Sequence, residues 1–124
     1  MINYVSVGVN DIEAAATFYD AVFSTLQYKQ HAKFDNVIAY GKEHIDFLAV
    51  LQNGEQLLLK NDQIHIAFTA DNIQQVDNFH NIAIVYKGKS EGVPITRDYP
   101  QGEVYSTYIR DPFGNKLEAI FKEG

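Results

Sequence analysis

The chain has 124 residues, with 16 acidic against 10 basic side chains and a formal net charge of −6. Such a balance repels phosphate backbones and argues against a nucleic-acid partner. Cysteine is absent, which excludes disulfides, zinc–thiolate sites and thiol nucleophiles and accords with a reducing compartment.

The length suits one domain, and 46% hydrophobic content suits a packed one. Eight Phe and eight Tyr with no Trp point to a core built largely from rings. No basic segment followed by an apolar stretch opens the chain. No apolar run nears the roughly 20 residues that cross a bilayer. The expectation is a soluble cytoplasmic protein with no membrane partner.

The first element is a short strand in INYVSV. Asn10 and Asp11 follow, then Ile12, Ala15, Ala16, Tyr19 and Val22 or Phe23 at three- and four-residue steps. Asn or Asp ahead of such a run marks a helix start, because its side-chain oxygen accepts a free backbone N–H. Strand-like segments are expected at 27–34, 36–41 and 44–51, with Gly41 marking a turn. Residues 53–62 read as a linker, interrupted by Leu57, Leu58 and Leu59, a candidate pad between the halves. QIHIAF (63–68) then opens a second strand. Asp71 and Asn72 start a second helix bearing Ile73, Val76, Phe79 or His80, and Ala83. Three more strands are expected at 93–97, 103–110 and 115–122. Asp111-Pro112-Phe113-Gly114-Asn115 provides the hairpin turn between the last two. The stretch 87–103, rich in glycine and charge, reads as a loop placed to lie over a cleft as a lid.

The chain repeats itself. YVSVGVNDIEAAATFYDAV (4–22) aligns with HIAFTADNIQQVDNFHNIA (65–83) at an offset of 61, and HIDFL (44–48) with KLEAI (116–120) at an offset of 72. The unit is strand–helix–strand–strand–strand, used twice. The expected fold is α+β: two βαβββ modules forming a curved mixed sheet with a central cleft. Module 1 spans 1–52, the linker 53–62 and module 2 63–124, all within one domain.

On this alignment Tyr4 matches His65, and Asp46 matches Glu118. Each sits between apolar neighbours. Period two then turns the four polar groups away from Val5, Phe47, Ile66, Leu117 and Ala119, so they can line the concave face. An imidazole, two carboxylates and a phenol suit acid–base work or a divalent metal: Zn, Fe, Mn, Ni or Co. Such an ion would polarise a substrate oxygen. Taken singly, His65 reads as a hydrogen-bonded cleft histidine and Glu118 as an outward strand carboxylate. The repeat is what joins them.

The opening MINYVSVGVNDIEAAATFYDAVF, the central IHIAFTA and the closing YIRDPFGNKLEAIF together resemble the vicinal oxygen chelate superfamily, also described as glyoxalase, bleomycin-resistance and extradiol-dioxygenase proteins. The resemblance covers essentially the whole chain. It implies ligands on the first and last strands of each module, which here are Tyr4, Asp46, His65 and Glu118. Similar chains carry a histidine where this one has Tyr4. A phenol near pKa 10 is a poor ligand for most divalent ions. Two outcomes stay open. In one, His65, Glu118 and Asp46 hold a metal in a lyase, isomerase or dioxygenase, with Glu118 and Asp46 also catalytic. In the other, the metal is lost and the protein sequesters a small molecule, as bleomycin-resistance proteins do. The resemblance also implies a homodimer.

Tyr4, Tyr105, Phe47 and Arg97 are the expected substrate-binding residues, Arg97 as a clamp for an anion. Tyr105 and Tyr108 have opposite parity, so at most one faces the cleft squarely. Phe34, Tyr40, Phe47 and Phe68 fit either an apolar pocket or the core. Arg110, His31, His44 and His80 read as surface or helix-face residues.

Overall fold

The computed structural model describes residues 1–52 and 64–123; the linker and its three leucines lie outside them. Ten elements follow in order: β1 (Val5–Val9), α1 (Ile12–Ser24), β2 (Lys29–Lys33), β3 (Val37–Gly41), β4 (Phe47–Leu51), β5 (Ile66–Thr69), α2 (Ile73–Val85), β6 (Lys89–Tyr99), β7 (Gly102–Arg110) and β8 (Lys116–Phe121). They form two βαβββ modules.

Both helices start where the sequence places them. Asp11 accepts from the Ala14 N–H at 3.0 Å, and Asn72 accepts from the Gln75 N–H at 2.8 Å. Each cap satisfies a backbone donor that has no intrahelical partner.

The strands form two four-stranded sheets, ordered β1-β4-β3-β2 and β5-β8-β7-β6. In each, the first strand runs parallel to the last and the remaining pairs are antiparallel. Residues 89–99 are a strand, not the expected lid. β6 pairs with β7 from Lys89↔Arg110 to Tyr99↔Gly102, with irregularities around Gly92. The Gly and Pro that suggested a loop are tolerated because β6 is an edge strand, where a Pro without an N–H breaks no ladder on its free side.

Pairing also corrects the alignment of the module ends. Val5 pairs with Phe47 and Ile66 with Leu117, so the offset between β4 and β8 is 70, not 72. The counterpart of Glu118 is Leu48, and the counterpart of Asp46 is Lys116. A slip of two residues keeps every side chain on the same face, so alternation alone is blind to it. Asp46 itself precedes β4, where its N–H donates to the Tyr40 carbonyl and its own carbonyl accepts from the Val5 N–H, both at 3.0 Å.

One core serves both modules. Phe68 of β5 meets Phe23 of α1 at 5.1 Å and Phe47 of β4 at 5.7 Å between ring centroids. Val7, Val9, Val76, Phe79, Ile109 and Leu117 belong to the same buried cluster. A second tie joins the modules at the 111–115 turn. Tyr19 of α1 donates its hydroxyl to the buried Asp111 carboxylate, and Asn115 donates its amide to the Gly8 carbonyl of β1 at 2.9 Å. The face of each sheet turned from this core carries the remaining chemistry.

Candidate functional site

The open face of the second sheet gathers a polar cluster. Glu118, third residue of β8, is 1% exposed. Its Oε1 lies 3.1 Å from His65 Nε2, and its Oε2 accepts from the Tyr99 hydroxyl at 2.5 Å. The Tyr108 hydroxyl bonds to that of Tyr99. Burial and the Glu118 hydrogen bond push the Tyr99 phenol well above its usual value, so it keeps its proton and donates. The order is Tyr108 to Tyr99 to Glu118, with His65 on the other carboxylate oxygen.

Register explains this grouping. Tyr108 is the direct partner of Glu118 across β7 and β8, and directly opposed residues share a face. His65 comes one residue before β5, whose Ala67 pairs with Glu118. The Tyr108 ring is surrounded: His65 meets it edge-on at 5.3 Å, Arg97 sits at 5.2 Å and Lys116 at 5.0 Å. Such distances suit cation–π attraction.

The other expected site residues lie elsewhere. Tyr105 faces the helix side with Thr107 and Ile109, and its hydroxyl donates to Asp77 of α2 at 2.6 Å. Tyr108 is the tyrosine of that pair on the cleft face. Phe47 is fully buried among Tyr19, Phe23, Tyr40 and Phe68, a core position. Arg97 spends its donors within its own hairpin, on the Ser106 carbonyl, on Ser106 Oγ at 3.2 Å and on the Val93 carbonyl at 3.1 Å. Arg110, expected at the surface, is buried and donates to Glu91 at 2.7 Å and to the Gly114 carbonyl at 2.8 Å. Tyr4 is exposed. Asp46 accepts from Tyr28 at 3.3 Å, and its Oδ1 is buried with no hydrogen-bond partner among the described residues. Burial, then the charge of Asp46, raises the Tyr28 phenol to about 12.

A resident divalent ion takes three or more protein donors. Among the described residues, no three of His, Asp and Glu come together in a way that could hold one. His65 and Glu118 meet. Asp46 does not join them, and module 1 offers Tyr4 and Leu48 at the places of His65 and Glu118. The donor set of the described residues does not fit a resident metal.

Tyr99 is the residue that sequence reasoning missed. It reaches Glu118 from the end of the edge strand, two strands away. The spacing of Tyr99 and Tyr108 around the tight turn at 100–101 was the available signal.

No curated protein matches the chain. Among solved structures, a glyoxalase/bleomycin resistance protein from Albidiferax ferrireducens T118 is 32% identical, with a TM-score of 0.88 over 98% of this chain and 99% of that one. A glyoxalase/bleomycin resistance protein/dioxygenase family enzyme from Burkholderia phytofirmans PsJN, 17% identical, matches with a TM-score of 0.75 over 96% of each chain. The fosfomycin resistance protein FosX from Listeria monocytogenes, 16% identical, matches at 0.72 over 99% of this chain and 93% of that one. The last two share the fold alone. A model of the Glyoxalase/Bleomycin resistance protein/Dioxygenase superfamily matches residues 1–119. With the paired modules and the 32% identical structure, this match means that the chain belongs to that superfamily.

Proposed function

We propose that the protein binds a small oxygen-bearing molecule, without a resident metal, on the open face of its second sheet. His65, Tyr99 and Tyr108 make the polar and aromatic contacts, and Glu118 holds His65 in place from behind. The observation that carries this reading is the asymmetry of the modules: Tyr4 and Leu48 stand where module 2 has His65 and Glu118. Aromatic rings beside a half-exposed imidazole favour a planar or aromatic guest. A second copy of the chain covers the face, in keeping with the exposed Ile2, Tyr4, Val93 and Ile95. The compartment is the cytoplasm.

Elemental analysis of protein purified without chelator tests the reading, together with ligand titration followed by tyrosine fluorescence, which is clean because Trp is absent. The expected result is no stoichiometric divalent ion, and ligand quenching that weakens in His65→Ala. A stoichiometric ion lost in His65→Ala overturns it.

One observation favours a second reading. Asp46 Oδ1 is a buried acceptor with no hydrogen-bond partner among the described residues, and in this reading a rearrangement on dimerisation turns it to the His65 and Glu118 of the other copy. Such a shared site would hold Zn, Fe, Mn, Ni or Co and support lyase, isomerase or dioxygenase chemistry. A metal found only in the dimer, and lost in Asp46→Asn, is its signature.

A further inference from the structure

We infer that the ligand of this site carries an anionic oxygen group, a carboxylate or a phosphoryl group, received by Lys89 and Lys116 at the end of the second sheet. The inference rests on the binding reading above and adds the class of ligand.

Three cations form one row across neighbouring strands. Lys89 of β6 pairs with Arg110 of β7, and Arg110 pairs with Lys116 of β8. Like charges opposed in a sheet repel, so such a row is stabilised by counter-charge. Arg110 finds it in Glu91 at 2.7 Å. Neither Lys89 nor Lys116 is in an ion pair among the described residues. The same holds for Lys87, two residues before β6. The chain as a whole is acidic at −6, so three unpaired lysines in one place depart from its average surface.

These lysines line a groove of about 810 Å³ together with His65, Asn115 and Ser6. The volume is in the range of small-molecule sites. Among the described residues the one acid on its wall is Asp111, which is already engaged. Asp111 accepts from the Phe113 and Asn115 N–H groups at 2.9 and 2.8 Å, from the Asn115 amide at 2.8 Å and from Tyr19. It is turned to these neutral donors and forms no ion pair with the lysines among the described residues. His65 belongs both to this groove and to the tyrosine cluster, so the basic row and the polar cluster are two ends of one site. A guest with an oxyanion at one end and a ring at the other fits both. The expected Arg97 clamp is replaced by these lysines, since Arg97 is committed to its own hairpin.

The test is a matched pair of probes, benzoate and benzamide, with inorganic phosphate as the bare anion, titrated into the full chain and followed by amide chemical shifts. Benzoate and phosphate are expected to shift residues 87–89 and 116 saturably, and benzoate to bind more tightly than benzamide. Lys89→Gln and Lys116→Gln should each weaken benzoate about tenfold, the size of one lost charge-assisted contact, and weaken benzamide far less. Lys29→Gln, which removes the same charge from β2, should do nothing. Benzoate binding no tighter than benzamide, or binding that survives both substitutions, overturns the inference while the binding reading stands. If none of the probes perturbs His65 or Tyr108, both fall together.

Discussion

At the scale of the residue, Asp111 is held on every side by donors from its own turn and from α1. It is 3% exposed and accepts four hydrogen bonds from three residues. Burial pushes its carboxyl above the usual value of 3.8, and the donors of Tyr19, Asn115 and Phe113 offset only part of that. With the folded value above the unfolded one, its contribution to stability is complete below the unfolded value and is lost as pH rises through the folded value. Asp111→Asn keeps the shape and removes the charge. The free energy of urea unfolding should therefore fall less between about pH 4 and pH 7 in Asp111→Asn than in the wild type. An equal or steeper fall in the variant sinks the assignment.

At the scale of the element, the β6–β7 hairpin positions the site. It carries Tyr99 and Tyr108 on opposite sides of a tight turn and aims both at Glu118. Gly102 ends that turn with φ of 117°, a backbone conformation that favours glycine. An added Cβ would meet only the Lys122 side chain, at 3.5 Å. Gly102→Ala is thus a backbone test rather than a steric one. It should lower stability by about 1–3 kcal/mol with an unchanged denaturant slope, and it should weaken ligand binding through Tyr99. The helices were legible in the sequence because their caps are local: Asp11 and Asn72 each act within three residues. The Asp111–Asn115 turn was legible for the same reason. Two features were not fully legible. The slip from Leu48 to Asp46 preserves the face of every residue, so no alternation pattern can reveal it. β6 was legible only in its middle, at 93–97: Gly88 and Gly92 and the charges around them made its flanks read as loop, and the edge position makes them harmless. Tyr105 was favoured over Tyr108 because parity separates the two faces of a strand without saying which one meets the helix.

At the scale of the whole molecule, the modules share one core, and neither buries its rings alone. Phe68 belongs to the second module but packs on Phe23, Tyr28 and Phe47 of the first. Phe68→Ala should therefore cost about 3–5 kcal/mol and destabilise both modules together. Far-UV circular dichroism and tyrosine fluorescence should report one coincident urea transition in the wild type and in the variant. Two separated transitions would show that the halves fold independently. The candidate site follows a different logic from the core. Its polar cluster comes from module 2, through His65 and Glu118, whose module 1 counterparts Tyr4 and Leu48 have different chemistry, while Ser6 of β1 only lines the groove beside it.

That divergence gives the contacts of Asn115 with Gly8, and of Asp111 with Tyr19, an evolutionary reading. A gene duplication begins with two interchangeable halves. Here the later half holds the earlier one through Asp111 and Asn115, while the equivalent turn of the earlier half reaches back through the Lys42–Asp71 ion pair at 3.7 Å. A shortened gene encoding only the first repeat, associating as twins, would leave the Tyr19 hydroxyl with no carboxylate to receive it. The two repeats now grip each other by unlike contacts, so they can no longer trade places.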